Sequence, residues 1–178
     1  MFYPTLLITL ASAVTAIDIR MRRGNTNCEW GGGGWLACNN ANPDFCCWTG
    51  EGMGTIWLAA IPNGWNVQAK VWYNTGCNDR APLLQGGGRN GANVCERAGS
   101  DYVRGGTYSF VNKKRDPAGD ASKGCKQADT FVLADGVTQY NITGMLSDGI
   151  NELFDLSDNF TAPADMPQYI KDLQLTEL

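Results

Sequence analysis

The stretch GTIWLAAIPNGWNVQAKVWYNTG, residues 54–76, carries the clearest strand and turn signals in the chain. Thr55 to Ile61 is apolar and β-branched, which predicts a central strand covered on both faces. Pro62-Asn63-Gly64 is typical of a turn. From Trp65 to Tyr73 apolar and polar residues alternate, so one face of this second strand is expected in a core and the other in water. We interpret the stretch as a β-hairpin.

Similar signals continue downstream. RGGTYSFVN predicts a strand around Thr107 to Val111, and DTFVLADGVTQYNIT predicts a further hairpin that turns at Asp135-Gly136. Glycine-rich connections at 31–34 and 86–88 separate the predicted strands. Short strands of this kind predict an all-β fold, a small β-sandwich or Greek-key barrel stapled by disulfides.

The last 35 residues differ in character from the rest of the chain. Ile150, Leu153 and Phe154 have helical spacing, and a second short helix can begin after Pro167, so we predict one or two short C-terminal helices. They could pack on an edge of the sheet or form a mobile tail. Residues 144–178 hold one Lys against seven Asp and Glu, which makes the segment acidic. No stripe of basic residues suggests nucleic acid binding.

The N-terminus indicates a secreted protein. Met1 to Ala16 has no charged side chain, an apolar centre, and small residues Val14 and Ala16 before the expected cleavage point. A buried N-terminal helix is the alternative. The segment falls short of the roughly 20 residues that a membrane span needs. We therefore expect a signal peptide over 1–16 and an extracellular protein with no membrane span.

Seven cysteines follow this segment, and the chain contains no histidine. In an oxidising compartment we expect disulfides, and adjacent Cys46 and Cys47 are expected to join different partners. A zinc site is disfavoured because there is neither a histidine nor a paired C-x-x-C knuckle, so no metal or cofactor is expected. The odd number leaves one thiol over, for which we favour Cys125 in a charged loop. The other six are the disulfide candidates: Cys28, Cys38, Cys46, Cys47, Cys77 and Cys95.

Processing motifs complete the expected organisation. Arg22-Arg23 and Lys114-Arg115 are dibasic pairs of the kind that kexin-type proteases cut, or else plain surface charges. Cleavage after Arg23 would define a pro-segment over 17–23, followed by a cysteine-rich β domain over 24–143 and the acidic segment over 144–178. Asn141 and Asn159 begin N-glycosylation sequons.

The residue inventory restricts catalysis. Without histidine, Ser-His-Asp and Cys-His mechanisms are excluded, which leaves a two-carboxylate glycosidase as the enzymatic alternative. Its candidate acids are Glu29, Asp44, Glu51, Asp79, Glu96 and Asp101. Binding is the favoured class, because indole rings stack on sugars and anchor protein interfaces. Core packing is expected for Trp57 and Trp65. The tryptophans predicted to contribute to a ligand site are Trp30, Trp35 and Trp72.

Several blocks resemble a known group of sequences. They are IDIR, CEWGGGGWLACNNANPDFCCW, IPNGW, NVCERAG, YSFVNKKR and FVLADGVTQYNI. Together they resemble uncharacterised small secreted cysteine-rich fungal proteins, and the resemblance implies an effector-like or wall-associated role without assigning functional residues. We therefore expect a secreted, non-enzymatic binding protein that recognises a cell-wall polysaccharide or a host extracellular protein. The alternatives are the glycosidase and a secreted toxin matured by dibasic cleavage.

Overall fold

The computed structural model describes residues 17–24, 33–78, 84–89, 93–99, 102–111 and 124–175, with the backbone alone for 84–89. Several predictions fall outside these ranges: the signal peptide 1–16, Cys28, Glu29, Trp30, Asp79, Asp101 and the pair Lys114-Arg115.

Two β-sheets contain the strands of the described residues. The six-stranded sheet consists of β1 Ile17–Arg22, β2 Trp35–Ala41, β4 Thr55–Ala59, β7 Val94–Arg97, β10 Thr130–Val132 and β11 Gln139–Asn141, in the order β11-β10-β2-β1-β4-β7. The five-stranded sheet consists of β3 Cys46–Met53, β5 Asn66–Trp72, β6 Leu84–Arg89, β8 Val103–Phe110 and β9 Cys125–Gln127, in the order β6-β5-β8-β3-β9. The helices are α1 Ser147–Asp158 and α2 Gln168–Lys171, with 3-10 turns at Thr75–Cys77 and Pro163–Asp165. The predicted all-β fold is confirmed, and no helix in the described ranges is long and apolar enough to cross a membrane.

The core lies between the sheets. Alternation in β1 turns Ile17, Ile19 and Met21 inward, where each is fully buried. Gly106 of β8 faces them: a Cβ on this glycine would lie 2.9 Å from Ile56 Cγ2 and 3.2 Å from Ile19 Cγ2. The backbone of the five-stranded sheet therefore touches the side chains of the six-stranded sheet at this point.

The predicted hairpin over 54–76 is wrong in its pairing. β4 pairs with β1 and β7, whereas β5 pairs with β6 and β8, so the turn at Pro62-Asn63-Gly64 carries the chain from one sheet to the other. All five residues of β4 are buried, because neighbouring strands flank it and both of its faces are covered. The turn residues specify a change of direction but not the partner of the next strand. The predicted hairpin at Asp135-Gly136 is present as β10 and β11.

The C-terminal segment packs into the same core. Ile150, Leu153 and Phe154 of α1 are buried, as the helical spacing predicts, and Phe154 meets the ring of Phe131 edge-on at 5.0 Å. Ile170 of α2 is buried as well. Of the two alternatives for this segment, packing on the sheet or a mobile tail, the structure contains the first.

The segment predicted as a pro-segment forms the central strand β1, between β2 and β4. Arg22 is 4% exposed. Arg23 forms an ion pair with Asp155 at 2.9 Å, a hydrogen bond to Asn151, and a stacking contact with Phe154 at 4.7 Å. Release of 17–23 would remove an inner strand together with the anchor of α1, so this position does not suit a detachable segment. Cleavage itself stays a prediction.

We expect a kexin-type protease to leave the bond after Arg23 intact in the native protein. The carbonyls of Arg22 and Gly24 accept hydrogen bonds from Gly54 N and Thr55 Oγ1, which holds the backbone out of a protease cleft. The native protein and the reduced, unfolded protein are each treated with the protease. Mass spectrometry of the N-terminus then measures the fraction of each that is cut after Arg23. A native protein that loses residues 17–23 would contradict the expectation.

Substitution Gly106→Ala is expected to lower the free energy of unfolding by about 1–3 kcal/mol, because the added methyl overfills the contact with Ile19 and Ile56. Gly50→Ala is the matched control, since the nearest atom to its Cβ position is Ser147 Oγ at 3.7 Å. Urea unfolding measures both variants. Equal stability of Gly106→Ala and wild type would show that the sheets do not meet there.

Candidate functional site

The cysteine doublet connects three parts of the fold. Consecutive residues of a strand point to opposite faces, so Cys47 reaches Cys38 of β2 across the core while Cys46 reaches Cys77 in the 3-10 turn on the outer side. Cys95 is also disulfide-bonded. Cys125 is free and exposed. No group of three or more His, Cys, Asp or Glu suited to a metal occurs among the described residues.

Trp35 lies on the outer face of the six-stranded sheet, but it is 2% exposed rather than open to a ligand. Its ring lies 5.7 Å from that of Trp57, which is buried as expected. The guanidinium of Arg22 lies 5.4 Å from the Trp35 ring and 5.2 Å from the Trp57 ring, and that of Arg20 lies 5.5 Å from Trp35. Trp35 therefore packs against arginines with little of its surface exposed, and its role in ligand binding stays a prediction.

The arginines occupy this face because β1 alternates. With Ile17, Ile19 and Met21 turned inward, Arg20 and Arg22 must point outward, where the tryptophan rings attract them through cation–π contacts. Burial lowers the pKa of Arg22, and the negative charge of Asp158 opposes the shift.

Of the remaining predicted tryptophans, Trp72 lies at the end of β5 on the outer face of the other sheet, partly buried, as its alternation with Val71 predicts. Its role in ligand binding stays a prediction. Trp65 is partly buried and packs on Phe110 at 4.7 Å. Asn141 and Asn159 are both exposed, and their glycosylation likewise stays a prediction.

A depression of about 320 Å³ opens on the outer face of the six-stranded sheet, beside Trp35. It is formed by β1, the ends of β2 and β4, and the β10–β11 hairpin. The lining residues are Asp18, Arg20, Trp35, Asn39, Asn40, Ala60, Val132, Gly136 and Gln139. We call this feature the outer depression.

Asp18 is held in place within the outer depression. Its carboxylate forms an ion pair with Arg20 at 3.0 Å and accepts a hydrogen bond from the backbone N–H of Asn40 at 3.1 Å. Both charged side chains are 18% exposed. Nearby, the amide of Asn39 donates to Thr130 Oγ1 at 3.4 Å. A carboxylate, a guanidinium and three side-chain amides, the third from Gln139, thus converge on one concave surface.

The rim of the outer depression carries two left-handed residues. Asn40 has φ 54° and Ala60 has φ 58°. Asparagine tolerates this region, but for alanine it costs roughly 1 kcal/mol. Strained backbone concentrates at functional sites, where the surrounding structure enforces it. Both residues lie next to Asp18. Asp18 pairs with Ala59, which precedes Ala60, and its carboxylate accepts a hydrogen bond from the backbone N–H of Asn40.

The candidate acids for a glycosidase are dispersed. Asp44 lies in the loop before β3, Glu51 in β3 and Glu96 in β7, where burial raises the pKa of Glu96. Asp18 is the one carboxylate that the described part of the chain contributes to the outer depression. Sequence reasoning missed Asp18, Asn39, Asn40 and Gln139. Alternation with core residues signalled the outward direction of Asp18, Asn39 and Gln139 but not of Asn40, which follows Asn39 directly. Only the sheet order brings β1, β2 and β11 to one surface.

Ala60→Gly is expected to raise the free energy of unfolding by about 0.5–1 kcal/mol, because glycine adopts the left-handed conformation without strain. Ala162→Gly is the control: Ala162 is exposed with φ −66°, and glycine there should lower stability slightly. Thermal unfolding compares the two. A loss of stability in both variants would contradict the strained rim.

Comparison with known protein families gives a match over much of the chain. Residues 18–129 match the family described as ARB_05566_N, an N-terminal domain. The matched region begins at the second residue of β1 and runs through β9, so it contains most of the inner strand, the cysteine doublet and most of the outer depression. No curated protein and no solved structure matches. Because the match covers more than half of its length, the chain belongs to the ARB_05566_N family.

Proposed function

We propose that this is a secreted, non-enzymatic binding protein, effector-like or wall-associated, whose outer depression recognises a sugar unit of a cell-wall polysaccharide. The observation that carries the proposal is the convergence of Asp18, Arg20 and amide side chains on one concave surface. Hydroxyl groups both donate and accept hydrogen bonds, and a set that joins carboxylate, guanidinium and amide groups supplies partners for both.

The size and rigidity of the outer depression support a small polar ligand. A volume of about 320 Å³ lies at the lower end of the range for small-molecule sites, roughly 300–1,000 Å³. Asp18 is already fixed by Arg20 and by the Asn40 backbone, so little side-chain freedom is lost on binding. A flat protein partner would use a broader surface than this one.

The same geometry favours binding over glycoside hydrolysis. Hydrolysis of either stereochemical type needs a pair of carboxyl groups about 5–9.5 Å apart. Among the described residues that line the outer depression, Asp18 is the one acid, and its carboxylate is held in an ion pair with Arg20. Secretion is supported by the disulfides, which form in oxidising compartments.

The test is retention of the secreted, oxidised protein on insoluble chitin, β-glucan and cellulose. We expect binding to one of them, weakened about threefold to tenfold by Gln139→Ala or by Asn40→Gly, because each removes one hydrogen-bonding group. Glycine at position 40 keeps the left-handed backbone and removes only the amide.

Two control variants separate this site from others. Asn66→Ala removes a polar group from the outer face of the five-stranded sheet and should leave retention unchanged. A site in the outer depression requires the same of Trp72→Ala, in contrast to the ligand role predicted for Trp72 from the sequence. Loss of retention in Trp72→Ala alone would move the site to the other sheet. Sugar released into the supernatant would overturn the non-enzymatic proposal. Absence of retention on all three polymers would overturn the proposed polysaccharide ligand and favour a protein target instead.

A further inference from the structure

Three sulfur atoms come together at one edge of the five-stranded sheet. Two of them, Cys46 and Cys77, form a disulfide, and the third is the free thiol of Cys125. β3 and β9 are parallel, and their register pairs Cys46 directly with Cys125. Paired residues of neighbouring strands point to the same face and have Cα atoms about 4.8 Å apart. That separation lies inside the 4.4–6.8 Å range of disulfides.

The thiol also lies beside the other half of the disulfide. Cys125 Sγ is 3.8 Å from the position that a Cβ on Gly76 would occupy, and Gly76 immediately precedes Cys77. Cys125 is exposed and Cys77 is partly exposed, whereas Cys46 is 6% exposed and lies beside β9. The free thiol is therefore adjacent to both cysteines of one disulfide.

We propose that Cys125 exchanges with the Cys46–Cys77 disulfide, so that the protein has a second disulfide pairing, Cys46–Cys125. The Cys125 thiolate attacks Cys46 Sγ along the line of the existing bond. The Cys46–Cys125 bond forms as the Cys46–Cys77 bond breaks, and Cys77 leaves as a thiolate that takes up the proton lost by Cys125. The number of disulfides is unchanged, and no external oxidant or reductant is consumed.

The exchange moves the disulfide of Cys46 from the 3-10 turn to strand β9. Cys46–Cys77 ties the 3-10 turn Thr75–Cys77 to the sheet, whereas Cys46–Cys125 would tie down β9, an edge strand of three residues. The turn holds two successive left-handed residues, Gly76 with φ 75° and Cys77 with φ 50°. Left-handed backbone at Cys77 is unfavourable, so release of its sulfur allows the turn to relax.

Partial burial raises the pKa of the Cys125 thiol, although the residue as a whole is exposed. The thiolate is the attacking species, so the rearrangement is expected to be slow near neutral pH and to stop in acid. Acid therefore preserves whichever pairing is present at the time of sampling.

The test places an alkylating label on the free thiol of the full-length oxidised protein. The protein is incubated at mildly alkaline pH without thiol reagents, quenched in acid at intervals, labelled and digested with trypsin. Residues 71–80 form a tryptic peptide in which Cys77 is the sole cysteine. We expect label on this peptide to increase with time to at least tenfold above the level in Cys125→Ser. Equal labelling of Cys77 in wild type and Cys125→Ser would overturn the proposal.

A second variant tests the product pairing without requiring exchange. In Cys77→Ser, Cys46 and Cys125 are left as the unpaired neighbours, and we expect them to join in the folded protein under oxidised glutathione. Mass spectrometry of the non-reduced digest detects the Cys46–Cys125 linkage. If both cysteines of this variant remain open to alkylation, the second pairing does not exist.

Discussion

The alternation of side chains along β1 is the constraint on which most of the structure depends. IDIRMR places Ile17, Ile19 and Met21 on one side of an inner strand and Asp18, Arg20 and Arg22 on the other. The inward set forms the centre of the core. The outward set cannot turn away, because a shift by one residue would put charges in the core and isoleucines outside it. The arginine–tryptophan contacts and the Asp18–Arg20 ion pair of the outer face follow from this fixed orientation.

The outward side chains meet this constraint in two ways. Arg22, at 4% exposure, lies against the rings of Trp35 and Trp57, where cation–π attraction offsets part of its loss of hydration. Arg20 is less buried and pairs with Asp18 as well as with Trp35. The Asp18–Arg20 ion pair lies at the boundary between the aromatic cluster and the polar surface of the outer depression. A structural cluster and a candidate binding surface thus share one arginine.

Local patterns in the sequence predicted individual strands, turns and helices better than they predicted which strands pair. The alternation in β5, the Asp135-Gly136 hairpin and the helical spacing around Leu153 depend on neighbours along the chain, and each appears in the structure. The pairing of β4 with β1 depends on residues more than 30 positions apart, and no turn residue encodes it. The same limit hid the candidate site: Asp18, Asn40 and Gln139 converge only after β1, β2 and the β10–β11 hairpin, from distant parts of the chain, have paired.

The cysteine doublet shows how one local rule gives two disulfides different reactivity. Because Cys46 and Cys47 point to opposite faces of β3, the Cys47 sulfur enters the core with Cys38, and both residues are fully buried. A thiolate cannot approach a disulfide that packed side chains enclose on all sides. The Cys46 sulfur instead reaches the outer face, where Cys77 is partly exposed and Cys125 is paired with it in register. Rearrangement at this edge therefore leaves the bond between the two sheets intact, and the fold can change one staple while it keeps the other.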